Sequence, residues 1–285
     1  MSRLVVQHPQ LSDRAVDAFR AALGRAPTLH LPQLATWEPV TIDGERVGEI
    51  ADMLGVDAEI VPMSARLTDY RLLAFDMDST LITIECIDEI ADFAGRKAEV
   101  AAITEAAMRG EIADFDESLR RRVALLAGLP ETTLQRVYDE RVRLSPGAET
   151  LIVAARTAGL KTLLVSGGFT FFVERLNARL HFDFTRANTL EIADGTLTGR
   201  VLGEIVNANV KRRVVEQACT AIGCTPSQAI VVGDGANDLK MMSIAGVSVA
   251  YRAKPVVHSE TTHAINHCGL DAILNWFVDQ LPAAP

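Results

Sequence analysis

The densest chemistry in the chain is Phe75-Asp76-Met77-Asp78-Ser79-Thr80-Leu81, an Asp-x-Asp-x-Thr placed directly after the apolar run Leu72-Leu73-Ala74-Phe75. A short apolar run that stops abruptly in acidic residues reads as a buried strand delivering them to the carboxyl edge of a sheet. Two carboxylates two residues apart on extended backbone do not serve a core, because unpaired charge is costly to bury. They suit two tasks: holding a divalent cation, or dividing labour between an attacking group and a proton carrier. Taken alone, the pentapeptide also fits an acidic loop that caps the following helix.

Three further segments narrow the choice. The run Thr162-Leu163-Leu164-Val165 ends in Ser166-Gly167-Gly168, Lys211 opens a helical pattern that continues to Ala221, and Ala229-Ile230-Val231-Val232 ends in Gly233-Asp234-Gly235-Ala236-Asn237-Asp238. Ser166 and the two glycine amides read as the opening of a helix N-terminus, which is a natural phosphate cradle and equally an ordinary cap. The Gly-Asp-Gly-Ala-Asn-Asp segment half matches a dinucleotide fingerprint. Its acidic sixth residue would face pyrophosphate, so that reading fails.

The order strand–Asp-x-Asp, strand–Ser, helix–Lys, strand–Gly-Asp-x-x-x-Asp resembles the haloacid dehalogenase superfamily of phosphotransferases, from about Arg71 onward. Within it, Asp76 to Ile90, Val165 to Phe169 and Gly233 to Asp238 look like the phosphoserine phosphatases. The resemblance implies hydrolysis of O-phospho-L-serine to L-serine and phosphate through an aspartyl-phosphate, the last step of serine biosynthesis. It makes Asp76 the nucleophile, Asp78 the acid and then the base, and Lys211 the cation paired with Asp76 and the phosphate.

The same resemblance implies Mg2+, held by the side chains of Asp76 and Asp234 and the main-chain carbonyl of Asp78, with Asp238 behind them holding a metal-bound water or Lys211. Ser166, Gly167, Gly168 and Asn237 fall in the substrate-binding set. Phosphoserine also presents an ammonium and a carboxylate, for which Glu85 and Arg122 match the family positions, with Phe115 as a water-excluding lid. Arg120 and Arg121 are rivals on the same helical pattern. Two other functions stay open: a phosphotransferase or phosphatase for another amino-alcohol phosphate such as phosphohomoserine, and an amino-acid-sensing module built on the N-terminal segment.

The elements that must position these residues follow from pattern. Residues 1–68 read as a small α+β domain: a strand at Leu4-Val5-Val6, a helix from Leu11 to Leu23, strands at Thr28–Leu31 and Trp37–Ile42, a helix from Glu45 to Leu54 closed by Gly55, and a strand at Ala58–Pro62. That β-α-β-β-α-β order suits a ferredoxin-like, ACT-like module or a plain packing module. Residues 69–285 alternate strand and helix, which predicts an α/β fold with a doubly wound parallel sheet. A cap inserted at about 85–144 is expected to hold helices near Cys86–Phe93, Lys97–Met108, Phe115–Leu126 and Glu131–Val142, broken at Gly95, Gly110 and Gly128-Leu129-Pro130. A hairpin around Asp194-Gly195 is expected to form a small flap.

Composition bounds the rest. A length of 285 residues with 48% hydrophobic residues supports two domains or one with a large insertion, and a formal net charge of -9 argues against a nucleic-acid partner. No apolar stretch reaches the roughly 18 residues of a membrane span, and no signal-peptide design is present. Cys86, Cys219, Cys224 and Cys268 show no zinc or CxxC spacing, so they read as reduced thiols of a cytoplasmic protein. His258, His263 and His267 lack ligand spacing and receive no role. A homodimer is admitted and not required.

Overall fold

The two faces of the strand Ser2–Gln7 (β1) organise the first sixty residues. Leu4 and Val6 pack with Ala15, Val16 and Phe19 of helix α1 (Asp13–Leu23) and with Val47 and Ile50 of helix α2 (Gly44–Leu54), while Val5 on the other face joins the main core. Ser12 caps α1 by accepting the Ala15 amide, and α2 ends at Gly55 in the left-handed conformation that glycine adopts without penalty. Strands β2 (Leu29–Leu31), β3 (Leu34–Val40) and β4 (Asp57–Pro62) complete an antiparallel sheet of order β2-β3-β1-β4. With both helices packed on one face, this is a split β-α-β arrangement of the ferredoxin type. The computed structural model describes residues 1–108 and 114–281.

The second sheet is built around β5 (Leu72–Phe75), four apolar residues with no exposed surface. After it come the cap helices α3 (Cys86–Phe93), α4 (Lys97–Met108), α5 (Phe115–Ala124) and α6 (Thr132–Glu140). The last two stop two residues short of expectation. The break expected at Gly110 lies outside the described residues. Then follow α7 (Ala148–Thr157), β6 (Lys161–Phe169), α8 (Thr170–Leu180), β7 (Phe184–Ala193), β8 (Thr196–Leu202), α9 (Ala208–Ile222), β9 (Ala229–Gly233), β10 (Val247–Tyr251) and β11 (His263–Ile265). The sheet order is β11-β10-β9-β5-β6-β7-β8, parallel except at the β7–β8 pair. The chain leaves β5 toward β6 on one side and β9 on the other, so the crevice of a doubly wound sheet opens at the carboxyl end of β5.

The hairpin turns at Asp194 (φ 49°) and Gly195 (φ 72°), both left-handed as a two-residue turn of this type requires. It is more than a flap. Leu197 exchanges backbone hydrogen bonds with Gly128 and Leu129, both 2.8 Å, and Glu131 N–H reaches Gly195 O at 2.9 Å, so the hairpin is stitched to the helical cap. Gly199 sits so close to the end of α5 that a Cβ there would lie 2.9 Å from the Ala127 side chain.

The N-terminal sheet docks on the far edge of the core through polar residues. Asp57 is buried, and its carboxylate accepts the amides of Asn266 (2.7 Å), His267 (3.2 Å) and Cys268 (2.8 Å). Glu59 accepts the Ala264 amide at 2.8 Å and pairs with His263 Nδ1 at 2.9 Å, while Arg3 donates to Trp276 O at 2.8 Å. These bonds explain why charged residues stand on an inward-facing strand face: β11 is the sheet edge, and carboxylates satisfy the amides next to it. Asp57→Ala would strand three amides. An unsatisfied buried donor costs about 1–3 kcal/mol; with Asn266 and His267 at exposed positions the low end applies, about 3 kcal/mol in all, so the melting temperature is expected to fall by roughly 6–12 °C in thermal unfolding. A shift under about 2 °C would mean that water replaces the carboxylate.

Candidate active site

Asp76 directly follows β5, its amide still bonded to Val232 O at 3.0 Å, so the ladder itself carries the first carboxylate to the sheet edge. It is not the exposed group that a strand end suggests: it is 5% accessible. Among the described residues its side-chain hydrogen-bond and ion-pair contacts fall on one oxygen. Oδ1 accepts the Met77 amide at 2.7 Å and lies 2.8 Å from Lys211 Nζ. Beyond it the backbone turns sharply through Met77–Leu81, with Ser79 at φ 56°.

Lys211 is wholly buried and also lies 2.7 Å from Asp238 Oδ1. Burial works against its charge, but Asp238 and Asp76 outweigh it and its pKa is raised. The lysine does not open its helix as expected. α9 begins at Ala208 with Asn207 as N-cap, which places Lys211 one turn inside and aims it across the crevice. Asp238 gives its other oxygen to the Gly235 amide at 3.1 Å.

Asp76, Asp234 and Asp238 bring carboxylate oxygens within 4.8 Å of one another. Thr80 donates to Asp234 Oδ1 at 2.9 Å. Burial first, and then Asp238, push the Asp234 carboxyl up to about 6 and Asp76 well above the usual carboxylate range. With Asp78 nearby, four carboxylates share one buried ammonium. That surplus of negative charge on an all-oxygen donor set fits a hard divalent cation, with Asp76 and Asp234 as its side-chain holders. Asp238, both of whose oxygens are engaged, suits the supporting position.

Asp78 stands apart from that cluster. Its Oδ1 accepts the Cys86 amide at 3.1 Å, and burial raises its pKa to about 6. Its Oδ2 approaches the cradle so closely that a Cβ on Gly168 would sit 2.5 Å away. The cradle is not the first turn of a helix as expected: Ser166, Gly167 and Gly168 lie in a bulge of β6, between the Val165–Arg186 and Phe169–Asn188 pairs, and α8 starts only at Thr170. Ser166 Oγ accepts the Gly168 amide at 2.8 Å, which leaves its proton for a phosphate oxygen. Asn237 folds over Gly235.

The cap closes this crevice. The Phe115 ring lies over Gly167, 3.3 Å from where a Cβ would be, and neighbouring Asp116 accepts from Asn207 Nδ2 at 3.0 Å, a cap-to-core bond. Glu85 accepts from Ser79 Oγ at 2.7 Å. It stays open to solvent on one side, yet desolvation first and Asp78 second push it up to about 7. Arg122 is half-buried and within electrostatic reach of Glu85, Asp88 and Asp78. Arg120 and Arg121 turn to the exposed flank, beside Asp116 (4.0 Å) and Glu117 (2.7 Å).

The structure thus brings Asp76, Asp78, Asp234, Asp238, Lys211, Ser166, Gly167, Gly168, Glu85, Arg122 and Phe115 around one crevice. Reasoning from sequence missed Thr80, Ser79, Asn207 and Asn188 as supports. Thr80 and Ser79 stand inside the quoted motif, so position was a signal. Asn207 carried one too, as a preferred N-cap type just before the helical pattern, whereas Asn188 carried none.

Comparison with known proteins agrees with this geometry. Residues 73–243 match the haloacid dehalogenase-like hydrolase family. A phosphoserine phosphatase of Polaromonas sp. is 56% identical over 224 residues, 77% of this chain and 95% of that protein. The crystal structure of a probable phosphoserine phosphatase from Vibrio cholerae superposes with a TM-score of 0.84 at 36% identity, covering 98% of this chain and 87% of that one. A HAD family hydrolase of Salmonella enterica serovar Typhi reaches a TM-score of 0.88 at 33% identity over 99% of this chain and 100% of its own, a likeness that takes in the N-terminal sheet. The chain belongs to the haloacid dehalogenase-like hydrolases, in the family of the phosphoserine phosphatases.

Proposed function

We infer that the protein is a Mg2+-dependent phosphatase that hydrolyses O-phospho-L-serine to L-serine and phosphate through an aspartyl-phosphate on Asp76. The observation that carries this reading is Asp78. It lies outside the carboxylate cluster, beside the cradle, with a pKa near 6 set mainly by burial, which suits a group that must give a proton and take one back near neutrality. Asp76 Oδ1 is engaged by Lys211 and the Met77 amide, so attack on phosphorus falls to Oδ2. Asp78 protonates the leaving seryl oxygen. It then accepts a proton from the water that hydrolyses the aspartyl-phosphate. Ser166 and the cradle hold phosphoryl oxygens, Lys211 offsets their charge, and Phe115 excludes bulk water. Held by Asp76, Asp234 and the Asp78 carbonyl, Mg2+ supplies the remaining neutralisation.

Glu85 takes the substrate ammonium and Arg122 its carboxylate, each as a charge-assisted hydrogen bond. On this reading residues 69–285 form the phosphatase core with its cap, and residues 1–68 form a docked module that carries none of the chemistry. Turnover of phosphoserine, phosphothreonine and sugar phosphates, with and without Mg2+, tests the assignment. Preference for a sugar phosphate would defeat it.

Metal removal gives a second check. Excess chelator is expected to abolish turnover, and Ca2+ to leave it suppressed, because a larger coordination shell lets Asp76 bind through both oxygens and occupies the attacking one. Mg2+ at 100 times its dissociation constant should stabilise the fold by about 2.7 kcal/mol, read as an upward shift in melting. Full activity in chelator would contradict the site.

A further inference from the structure

The bulge at Ser166-Gly167-Gly168 leaves the β6–β7 ladder, so its carbonyls lose their strand partners and something else must hold them. One buried side chain does so. Asn188, 1% accessible, donates from Nδ2 to Gly167 O at 2.7 Å, and its Oδ1 accepts the Val206 amide at 2.8 Å. Gly167 O belongs to the same peptide plane as the Gly168 N–H, which Ser166 Oγ accepts at 2.8 Å. That plane is therefore gripped at both ends. Val206 directly precedes Asn207, the N-cap of the helix that carries Lys211. A single carboxamide thus spans from the phosphate cradle to the entry of the lysine helix.

We propose that Asn188 is a positioning residue that fixes the cradle peptide Gly167–Gly168 relative to Lys211, so that both meet the transferred phosphoryl group in register. This role rests on the phosphatase reading above and adds to it a residue that touches neither substrate nor metal. The chemistry of the amide is used at both ends: one end must donate to a carbonyl and the other must accept from an N–H. Aspartate fits the same space and keeps only the accepting half, setting a carboxylate against Gly167 O. A misplacement of an ångström at such a site costs on the order of 100-fold in rate.

The test measures kcat and KM of Asn188→Asp and Asn188→Ala on phosphoserine and on an aryl phosphate, with inhibition by orthovanadate, which occupies the phosphoryl site alone. We expect kcat to fall roughly 10- to 100-fold on both esters, KM for phosphoserine to stay within about threefold, and vanadate inhibition to weaken about tenfold or more. Should Asn188→Asp fail to fold, Asn188→Ser, which reaches neither partner, carries the same expectation. Folded variants with parental kcat overturn the proposal, and so does a loss of kcat with vanadate inhibition unchanged. The two readings fail separately: the substrate reading falls if the parent cleaves the aryl ester and ignores phosphoserine, whereas the clamp falls only on the variants.

Discussion

Asp76→Ala is expected to abolish both turnover and covalent labelling by phosphate, since on the proposed mechanism Asp76, directly after β5, is the group that attacks. Asp78→Asn should act differently. It keeps the shape beside Gly168 and the acceptor for the Cys86 amide, but it cannot move protons. Turnover of phosphoserine should drop by on the order of 100-fold or more. An aryl phosphate, whose leaving group needs no proton, should still phosphorylate Asp76, and the aspartyl-phosphate should then accumulate because its hydrolysis stalls. Acid-quenched samples with radiolabelled phosphate read both variants. Near-normal phosphate release from folded Asp76→Ala would sink the mechanism.

The second large effect concerns substrate choice. A charge-assisted hydrogen bond in a closed site is worth about 1.5–3 kcal/mol, so removing Glu85 or Arg122 should lower kcat/KM for phosphoserine roughly 10- to 200-fold. An aryl phosphate lacks ammonium and carboxylate and should barely respond. Arg120→Ala and Arg121→Ala, on the exposed flank, serve as mild controls. pH adds a sign. On the proposed reading Glu85 holds the ammonium as a carboxylate; burial first raises its carboxyl to about 7, so lowering the pH through 7 protonates it and should weaken phosphoserine selectively. Equal losses on both esters would make the two residues mere supports of the cap.

The strands that carry the chemistry were legible because β5, β6 and β9 each hold an apolar run that leads straight into its functional residues, and β5 begins and ends where its apolar run does. The cradle was misjudged in kind. Ser166-Gly167-Gly168 looks like a helix opening, and only the pairing of β6 with β7 reveals a bulge. Lys211 was placed at a helix start because Asn207 was not recognised as the cap, although asparagine is a preferred N-cap type; its side chain accepts the amides of Asn209 and Val210. The hairpin was visible in Asp194-Gly195, but its attachment to the cap joins segments 64 to 69 residues apart through backbone groups, which no residue type encodes. His263 received no role for the same reason: its meaning lies in Glu59, a partner 204 residues away.

That long-range docking bears on kinetics. Asp57 meets partners 209 to 211 residues along the chain, and the amides it caps exist only once β10 and β11 are in place. Closing so long a loop early, for one carboxylate, is entropically unfavourable, so the contact should form after the rate-limiting step of folding. A bond absent from the transition state sets how fast the native protein falls apart and not how fast it assembles. The N-terminal sheet would then act as a brake on unfolding: loosening Asp57 or Glu59 should shorten the lifetime of the folded enzyme while its refolding rate stays nearly constant.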